Sequence, residues 1–248
     1  MTQAVWSEDD SASAVRVETG CLKPGANETL APSQSNGRFL IDSSGTRVFK
    51  KPGSARPGDV RPLREFVASV LGHWLSLPVP RVELLLEETG PVALVREIPN
   101  YISFSHLRAC GFCRPLQAAG YSTLTSLAPV IVLDTWVGVG DRPDPHSNHL
   151  YNVKERIWNS IDYACSFRDG PLPTYQTEFA KVVRDMRNTT VAGTLARVDA
   201  IPMGAVELLV KAPDAAVASE AQRIGMIAFL RSRRGSIAET IDEWLQTP

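Results

Sequence analysis

The chain has 248 residues, is 44% hydrophobic and 21% charged, and carries a formal net charge of −1. This length can bury a full-sized core in one or two domains, and the composition is that of an ordinary globular protein. A charge so close to zero gives no global attraction to nucleic acid or to anionic membranes, so we expect neither as a partner. The four cysteines are unevenly spaced, which does not indicate a disulfide framework and favours a reducing, cytoplasmic location.

Two segments of the chain bear on targeting and membrane insertion. Residues 1–13 are polar and acidic and do not resemble a signal peptide, so we expect a disordered leader. The most apolar stretch, 124–140, is interrupted by Pro129 and Asp134. It predicts a buried core helix and is too short and too polar for a membrane span.

Strand patterns cover most of the segment that follows the leader. The predicted strands are 14–19, 38–42, 46–50, 79–86 and 91–98. One helix interrupts them, beginning near Pro62, with apolar residues at helical spacing as far as Leu75. We therefore predict a β-rich N-terminal domain over residues 14–98.

The remainder of the chain, residues 99–248, has the opposite balance. A helix is predicted over 124–137, followed by two short strands at 149–153 and 156–162. From Tyr175 onwards nearly all of the pattern is helical, with breaks predicted at Gly193, Pro202, Pro213 and Gly235. The fold class is therefore α+β, with a β-rich lobe joined to a helical one.

Three polar residues near the middle of the chain suggest chemistry. Asp141 and Asn148 lie on a Pro-rich loop after the buried helix, and Asp162 closes a strand hairpin that can return it beside Asn148. Phosphoryl transfer needs a positioned acceptor hydroxyl and metal ions on the phosphates, and Mg²⁺ prefers such oxygen ligands. Taken singly, each of these residue types is just as typical of a turn.

Taken in order, the motifs resemble those of HipA-like kinases, distant relatives of the phosphatidylinositol kinases and the protein kinases. The catalytic and metal-binding segments are matched by Asp134-x-Trp136, Asp141-Arg142-x5-Asn148-x-Leu150, Ile157-Trp158 and Ile161-Asp162. The upstream strand and helix are matched by Arg47-Val48-Phe49-Lys50, Glu65-Phe66-Val67-Ala68 and Leu77-Pro78-Val79-Pro80. The resemblance covers roughly residues 33–167 and implies a two-lobed, protein-kinase-like fold that binds ATP and Mg²⁺.

The resemblance also implies the reaction and the residues of the catalytic loop. The γ-phosphoryl group of ATP would pass to a hydroxyl of a protein, a peptide or a small molecule. Asp141 would orient or deprotonate that hydroxyl, and Asn148 and Asp162 would hold magnesium.

On the nucleotide side, Lys50 would contact the α- and β-phosphates, with Glu65 paired to it. Strand alternation places Val48 and Lys50 on one face and Lys51 on the other, and the apolar neighbour favours Lys50 as the nucleotide-facing lysine.

Two further segments are implied to touch the nucleotide. Ser35 and Asn36 lie in a polar turn that would cover the phosphates with backbone N–H groups. Val95 to Ile98 would form the hinge between the lobes, with Glu97 as its candidate nucleotide contact.

Alternatives remain open at this stage. Val139, Pro143 and Ala164 depart from the family pattern, which leaves a catalytically silent binding protein of the same fold as one alternative. The other is a metal-dependent phosphoesterase or hydrolase, in which His146 and His149 with acidic neighbours in the same loop hold the metal. That hypothesis gives no role to Lys50 or Glu65.

Overall fold

A computed structural model describes residues 37–41, 46–53, 58–103, 123–139, 148–168 and 190–246. The described residues form two compact units. Those within 1–67, 81–97 and 202–227 make up the first unit, and those within 68–80, 98–201 and 228–248 make up the second. The predicted strand at 14–19 lies outside the described residues.

The first unit contains an antiparallel sheet of four strands in the order β1-β2-β4-β3. The strands are β1 (Arg38–Ile41), β2 (Arg47–Pro52), β3 (Val82–Glu87) and β4 (Gly90–Arg96). The two predicted strand pairs are therefore confirmed, with β3 beginning three residues later than the alternation suggested.

The two faces of this sheet follow from strand alternation and register. One face buries a cluster of aliphatic side chains, formed by Leu40, Val48, Val92 and Leu94 with Leu85 packed against it. The opposite face carries Phe49 and Lys51 of β2, which lie directly across from Val95 and Ala93 of β4.

Helix α1 (Arg61–Trp74) matches the predicted helix, with Pro62 in its first turn as expected. The Asp59 carboxylate accepts the backbone N–H of Arg61 at 3.0 Å, which caps the helix start. A buried apolar stripe runs along the helix, formed by Leu63, Phe66, Val67 and Leu71. This stripe explains why the segment is helical in the folded chain: its spacing places all four side chains on one face.

The second unit contains a three-stranded antiparallel sheet in the order β5-β6-β7. The strands are β5 (Tyr101–Ser103), β6 (His149–Asn152) and β7 (Ile157–Ser160), which confirms the predicted hairpin. Helix α2 (Val130–Val137) has every residue buried. A short 3-10 helix (Leu124–Leu127) precedes α2 in place of the single longer helix that was predicted. The division falls at Pro129, whose missing N–H suits a helix start and not a helix interior.

Four helices complete the described chain: α3 (Ala192–Ala200), α4 (Met203–Lys211), α5 (Glu220–Arg234) and α6 (Ile237–Gln246). The predicted breaks at Pro202, Pro213 and Gly235 are confirmed. The predicted break at Gly193 is wrong, because Gly193 lies in the first turn of α3, where a glycine disrupts less than in a helix interior. No helix in the described ranges is long and apolar enough to cross a membrane.

A buried arginine joins α4 to α5 within the first unit. The Arg223 guanidinium donates to the carbonyl oxygens of Val210 and Lys211 at 2.9 and 3.1 Å, at the end of α4. It also donates to Asp214 and Ala218 in the connection between the helices. A cation at the carbonyl end of a helix satisfies orphan acceptors and interacts favourably with the helix dipole.

Candidate functional site

The two lysines of β2 form different ion pairs on opposite faces of the sheet. Lys51 Nζ lies 3.2 Å from the Oε2 atom of Glu65. Lys50 Nζ lies 2.6 and 2.7 Å from the two carboxylate oxygens of Glu87. The prediction that Glu65 pairs with Lys50 is therefore wrong.

The error has a definite physical origin. Alternation correctly grouped Val48 with Lys50 and separated both from Lys51, but it does not say which face of a sheet a helix will cover. Helix α1 contributes Glu65 to the face that carries Lys51. No local signal in the sequence marked this choice: at helical spacing Glu65 lies on the side of α1 opposite to the apolar stripe, and only the structure shows that this side is buried as well.

Burial makes the Lys51–Glu65 pair unusual. The Glu65 side chain is 2% exposed and that of Lys51 is 13% exposed. Removing two charges from water carries a desolvation penalty of several kcal/mol per ion, so such a pair is weak evidence for stability alone.

A row of aromatic and charged groups lies beside Lys51 on the same sheet face. The rings of Phe39 and Phe49 face each other across β1 and β2 with centroids 5.0 Å apart. The Arg47 guanidinium lies 4.3 Å from the Phe39 ring centroid and donates to Glu97 Oε1 at 2.9 Å. A Cβ atom at Gly37 would lie 2.3 Å from Cζ of Phe49, so a larger residue at this position would have to displace the Phe49 ring.

The remaining predicted nucleotide contacts are placed only in part. Glu97 follows β4 directly and its backbone N–H donates to the carbonyl oxygen of Arg47 at 3.0 Å. Ser35 and Asn36 lie outside the described residues. Neither the hinge role of Glu97 nor the covering role of the polar turn is tested by these positions.

In the second unit, the loop that carries Asp141 leaves α2 through a fixed turn. Gly138 has φ 60° and ψ 60°, and its N–H donates to the carbonyls of Asp134 and Thr135. The Val139 N–H donates back to the Asp134 carbonyl at 3.0 Å. This is the Schellman arrangement, in which a left-handed residue stops the helix and satisfies its last carbonyls. Asp141 itself lies outside the described residues.

Main-chain hydrogen bonds tie this loop to the one that begins with Asp162. At one end, the Ile161 N–H donates to the Asn148 carbonyl at 2.9 Å. At the other end, the N–H groups of Phe167 and Arg168 donate to the carbonyls of Val137 and Gly138 at 2.6 and 3.3 Å. The segments 138–148 and 161–168 are therefore joined at both of their ends. The expected return of the hairpin beside Asn148 is observed in the main chain.

Asp162 adopts a left-handed backbone conformation, with φ 65°. Strand alternation would place its side chain on the face opposite to that of Asn148, because Asn148 lies across from Ile161. The positive φ ends that alternation at Asp162 and redirects the chain. Non-glycine residues adopt this conformation uncommonly, and such backbone is concentrated at functional sites.

The hydrolase hypothesis is not tested by the described residues, because most of its proposed metal ligands lie outside them. His149 is buried at the start of β6, directly across from Ser160. Its proposed metal-binding partners lie outside the described residues. Within the part of the chain that the structure describes, no group of three or more His, Cys, Asp or Glu side chains could hold a metal ion.

No protein-family model and no curated protein matches this chain. Solved structures do match. The crystal structure of the Helicobacter pylori proinflammatory kinase CtkA is similar with a TM-score of 0.62 and 14% sequence identity, over 92% of this chain and 96% of that one. The fold is kinase-like. A chain from the Shewanella oneidensis MR-1 complex of HipA, HipB and operator DNA is also similar, with a TM-score of 0.51 and 12% identity.

The second match covers 100% of this chain and 70% of that one. At these identities the similarity concerns the fold alone. The relationship to HipA-like kinases that the motifs predicted is therefore supported at the level of a mixed α/β, kinase-like fold. Activity has to be argued from the residues of this chain.

Proposed function

We propose that this protein is an ATP- and Mg²⁺-dependent phosphotransferase with a two-lobed kinase-like fold, which transfers the γ-phosphoryl group to a hydroxyl of a protein, a peptide or a small molecule. The observation that carries the proposal is the ion pair between Lys51 on β2 and Glu65 on the helix that follows. In protein kinases a strand lysine contacts the phosphates and must be paired with a helix glutamate. A buried pair of this type, in a chain of kinase-like fold, is explained by that role.

Lys51 replaces Lys50 in this proposal. The Lys50 ammonium lies on the opposite sheet face and is bound by both oxygens of Glu87. Lys51 would contact the nucleotide phosphates, and Glu65 would fix the direction of its side chain. Ser35, Asn36 and Glu97 keep the nucleotide-side roles that the resemblance implies.

Magnesium would be held by Asn148 and Asp162, and Asp141 would orient the acceptor hydroxyl. The donors fit the ion: an amide oxygen and a carboxylate are hard oxygen ligands of the kind that Mg²⁺ prefers. Both residues lie at the end of the two loops where the N–H of Ile161, the residue before Asp162, donates to the Asn148 carbonyl. When bound, the ion would neutralise charge on the β- and γ-phosphates.

The first test compares the two lysines. Calorimetry with Mg²⁺ and ATP should show binding to the wild-type chain, and Lys51→Ala should weaken it by about tenfold or more, the loss expected for a charge-assisted phosphate contact. Lys50→Ala is the matched control and should leave the dissociation constant nearly unchanged. If Lys50→Ala weakened ATP binding more than Lys51→Ala, Lys50 would be assigned the phosphate contact instead. Wild-type protein without nucleotide affinity at millimolar ATP would end the proposal.

The second test separates the two carboxylates. Asp162→Ala should impair Mg²⁺-dependent ATP binding and turnover together. Asp141→Ala should leave ATP binding nearly intact and reduce turnover by about 10²–10⁴-fold, the usual range for lost acid–base assistance. Turnover is followed as ADP formation and as phosphorylated species detected by mass spectrometry in lysate treated with the protein. ATP binding without any phosphoryl transfer would identify a silent binding protein instead.

A further inference from the structure

We infer that Phe229 is a positioning residue for the proposed reaction: its ring holds the junction between the loop that carries Asp141 and the loop that begins with Asp162. The inference rests on the proposed function for its catalytic consequence. Its structural basis is independent of that function. All of the residues involved belong to the second unit.

The junction is formed by two main-chain hydrogen bonds at the end of α2. The Phe167 N–H donates to Val137 and the Arg168 N–H donates to Gly138, at 2.6 and 3.3 Å. Together the two bonds join the end of α2 to the end of the second loop. Phe167 also has a left-handed backbone, with φ 60°, which has to be stabilised by its surroundings.

Phe229 of α5 supplies that support from one side. A Cβ atom added at Gly138 would lie 2.5 Å from Cζ of Phe229 and 2.9 Å from the carbonyl oxygen of Arg168. The Phe229 ring and the main chain of Arg168 therefore both lie close to Gly138 and leave no room there for a side chain. The rings of Phe229 and Phe167 are tilted at 57° with centroids 5.8 Å apart, within the range of favourable aromatic pairs.

Helix α5 is itself anchored beside this contact. The Trp136 indole N–H donates to the carbonyl oxygen of Leu230 at 3.0 Å. The Arg233 guanidinium lies 5.3 Å from the Phe229 ring centroid, on the next turn of the helix. The main chain next to Phe229 is thus fixed by the Trp136 hydrogen bond, and the Cζ atom of the ring lies beside Gly138. A small displacement of Gly138 would change the direction in which the Asp141 loop leaves α2, and productive geometry is lost with shifts of about 1 Å.

The test compares two apolar substitutions of different reach. Phe229→Leu is too short to contact Gly138, whereas Phe229→Met is unbranched and long enough to replace much of the ring contact. Leu230→Ala is the matched control, since it creates a cavity at the neighbouring buried position of the same helix. Each variant is measured for thermal stability, for amide hydrogen exchange and for Mg²⁺-dependent turnover.

In Phe229→Leu, exchange of the Phe167 and Arg168 amides should accelerate by about tenfold relative to Leu230→Ala, because only the former opens the junction locally. The Mg²⁺ concentration for half-maximal turnover should rise with it, and Phe229→Met should restore both values. If Phe229→Leu and Leu230→Ala alter exchange and Mg²⁺ dependence alike, Phe229 only stabilises the fold and the inference is wrong. Normal amide protection in a wild-type chain that transfers no phosphate would reject the proposed function, and with it the catalytic consequence.

Discussion

Lys50 and Lys51 are neighbours in the sequence, and each forms an ion pair, yet the two faces of the sheet give these pairs different surroundings. Glu87, the partner of Lys50, lies at the end of an edge strand and its side chain is 33% exposed. Glu65, the partner of Lys51, comes from a helix and its side chain is 2% exposed. The two lysine side chains are equally buried, at 12% and 13% exposed, so the pairs differ in the burial of their carboxylates.

The N···O distances alone would suggest that the Lys50–Glu87 pair is the stronger of the two. The Lys50–Glu87 contact is 2.6 Å and the Lys51–Glu65 contact is 3.2 Å. The Glu87 carboxylate still reaches water, which weakens its ion pair whatever the distance, whereas the Glu65 carboxylate lies in a poorly solvating environment. The four predictions below test this difference, from the largest expected effect to the smallest.

Glu65→Met should have the largest effect. It removes the carboxylate from a largely buried ammonium group, and we expect the free energy of unfolding to fall by about 3–5 kcal/mol. Urea denaturation measures the change, with the slope of the transition as a check on two-state behaviour. A loss below about 1 kcal/mol would show that this pair behaves as a surface pair.

Replacing both partners should recover most of that stability. The double variant Lys51→Met/Glu65→Met removes both charges of the pair, and apolar replacements of a buried pair are often neutral or stabilising. We expect its free energy of unfolding to lie within about 2 kcal/mol of the wild-type value, while Mg²⁺-dependent ATP binding is as weak as in Lys51→Ala. A double variant that unfolds as easily as Glu65→Met would mean that Glu65 has a structural role apart from Lys51.

Lys50→Met should change stability by less than about 1 kcal/mol, because the Glu87 carboxylate it leaves behind can be hydrated. The same urea experiment measures it. The substitution keeps a long apolar stem beside Leu94, so little packing is removed. If Lys50→Met lowered the free energy of unfolding as much as Glu65→Met, the two ion pairs would not differ in their contribution to stability.

Salt dependence should give the smallest effect. Raising ionic strength to about 1 M shortens the Debye length to about 3 Å and should remove most of the coupling between Lys50 and Glu87. A double-mutant cycle with Lys50→Met and Glu87→Gln, measured at low and high salt, should show a change of a few tenths of a kcal/mol. The corresponding cycle for Lys51 and Glu65 should be nearly insensitive to salt.

The sequence predicted the elements of this molecule better than their relative placement. The β1–β2 and β6–β7 hairpins and helix α1 follow from local periodicity, which is a property of neighbouring residues. The choice between Lys50 and Lys51 is not local, because exchanging the two faces of a strand leaves its alternation unchanged. Only the packing of α1 on one face decides it.

The candidate site shows the same limit. The motifs indicated that Asn148 and Asp162 belong together, and the hairpin register could be anticipated from the short connection between β6 and β7. The contact of Phe229 with Gly138 joins segments that are distant in sequence and apolar in character. No local pattern marks such a contact, since a partly buried phenylalanine on an amphipathic helix is ordinary.

The hydrogen bonds of Arg223 close the corner between α4 and α5, and this affects the order in which the chain folds. All four of its carbonyl partners lie between 5 and 13 residues away in sequence. Closing such short loops loses little chain entropy, and structures built on local contacts form quickly. The corner between α4 and α5 can therefore close early, while the β2–β4 pairing, which spans the whole of α1, has to wait for a longer loop. Substitutions at Arg223 should then slow refolding, and substitutions at Lys50 should mainly speed unfolding.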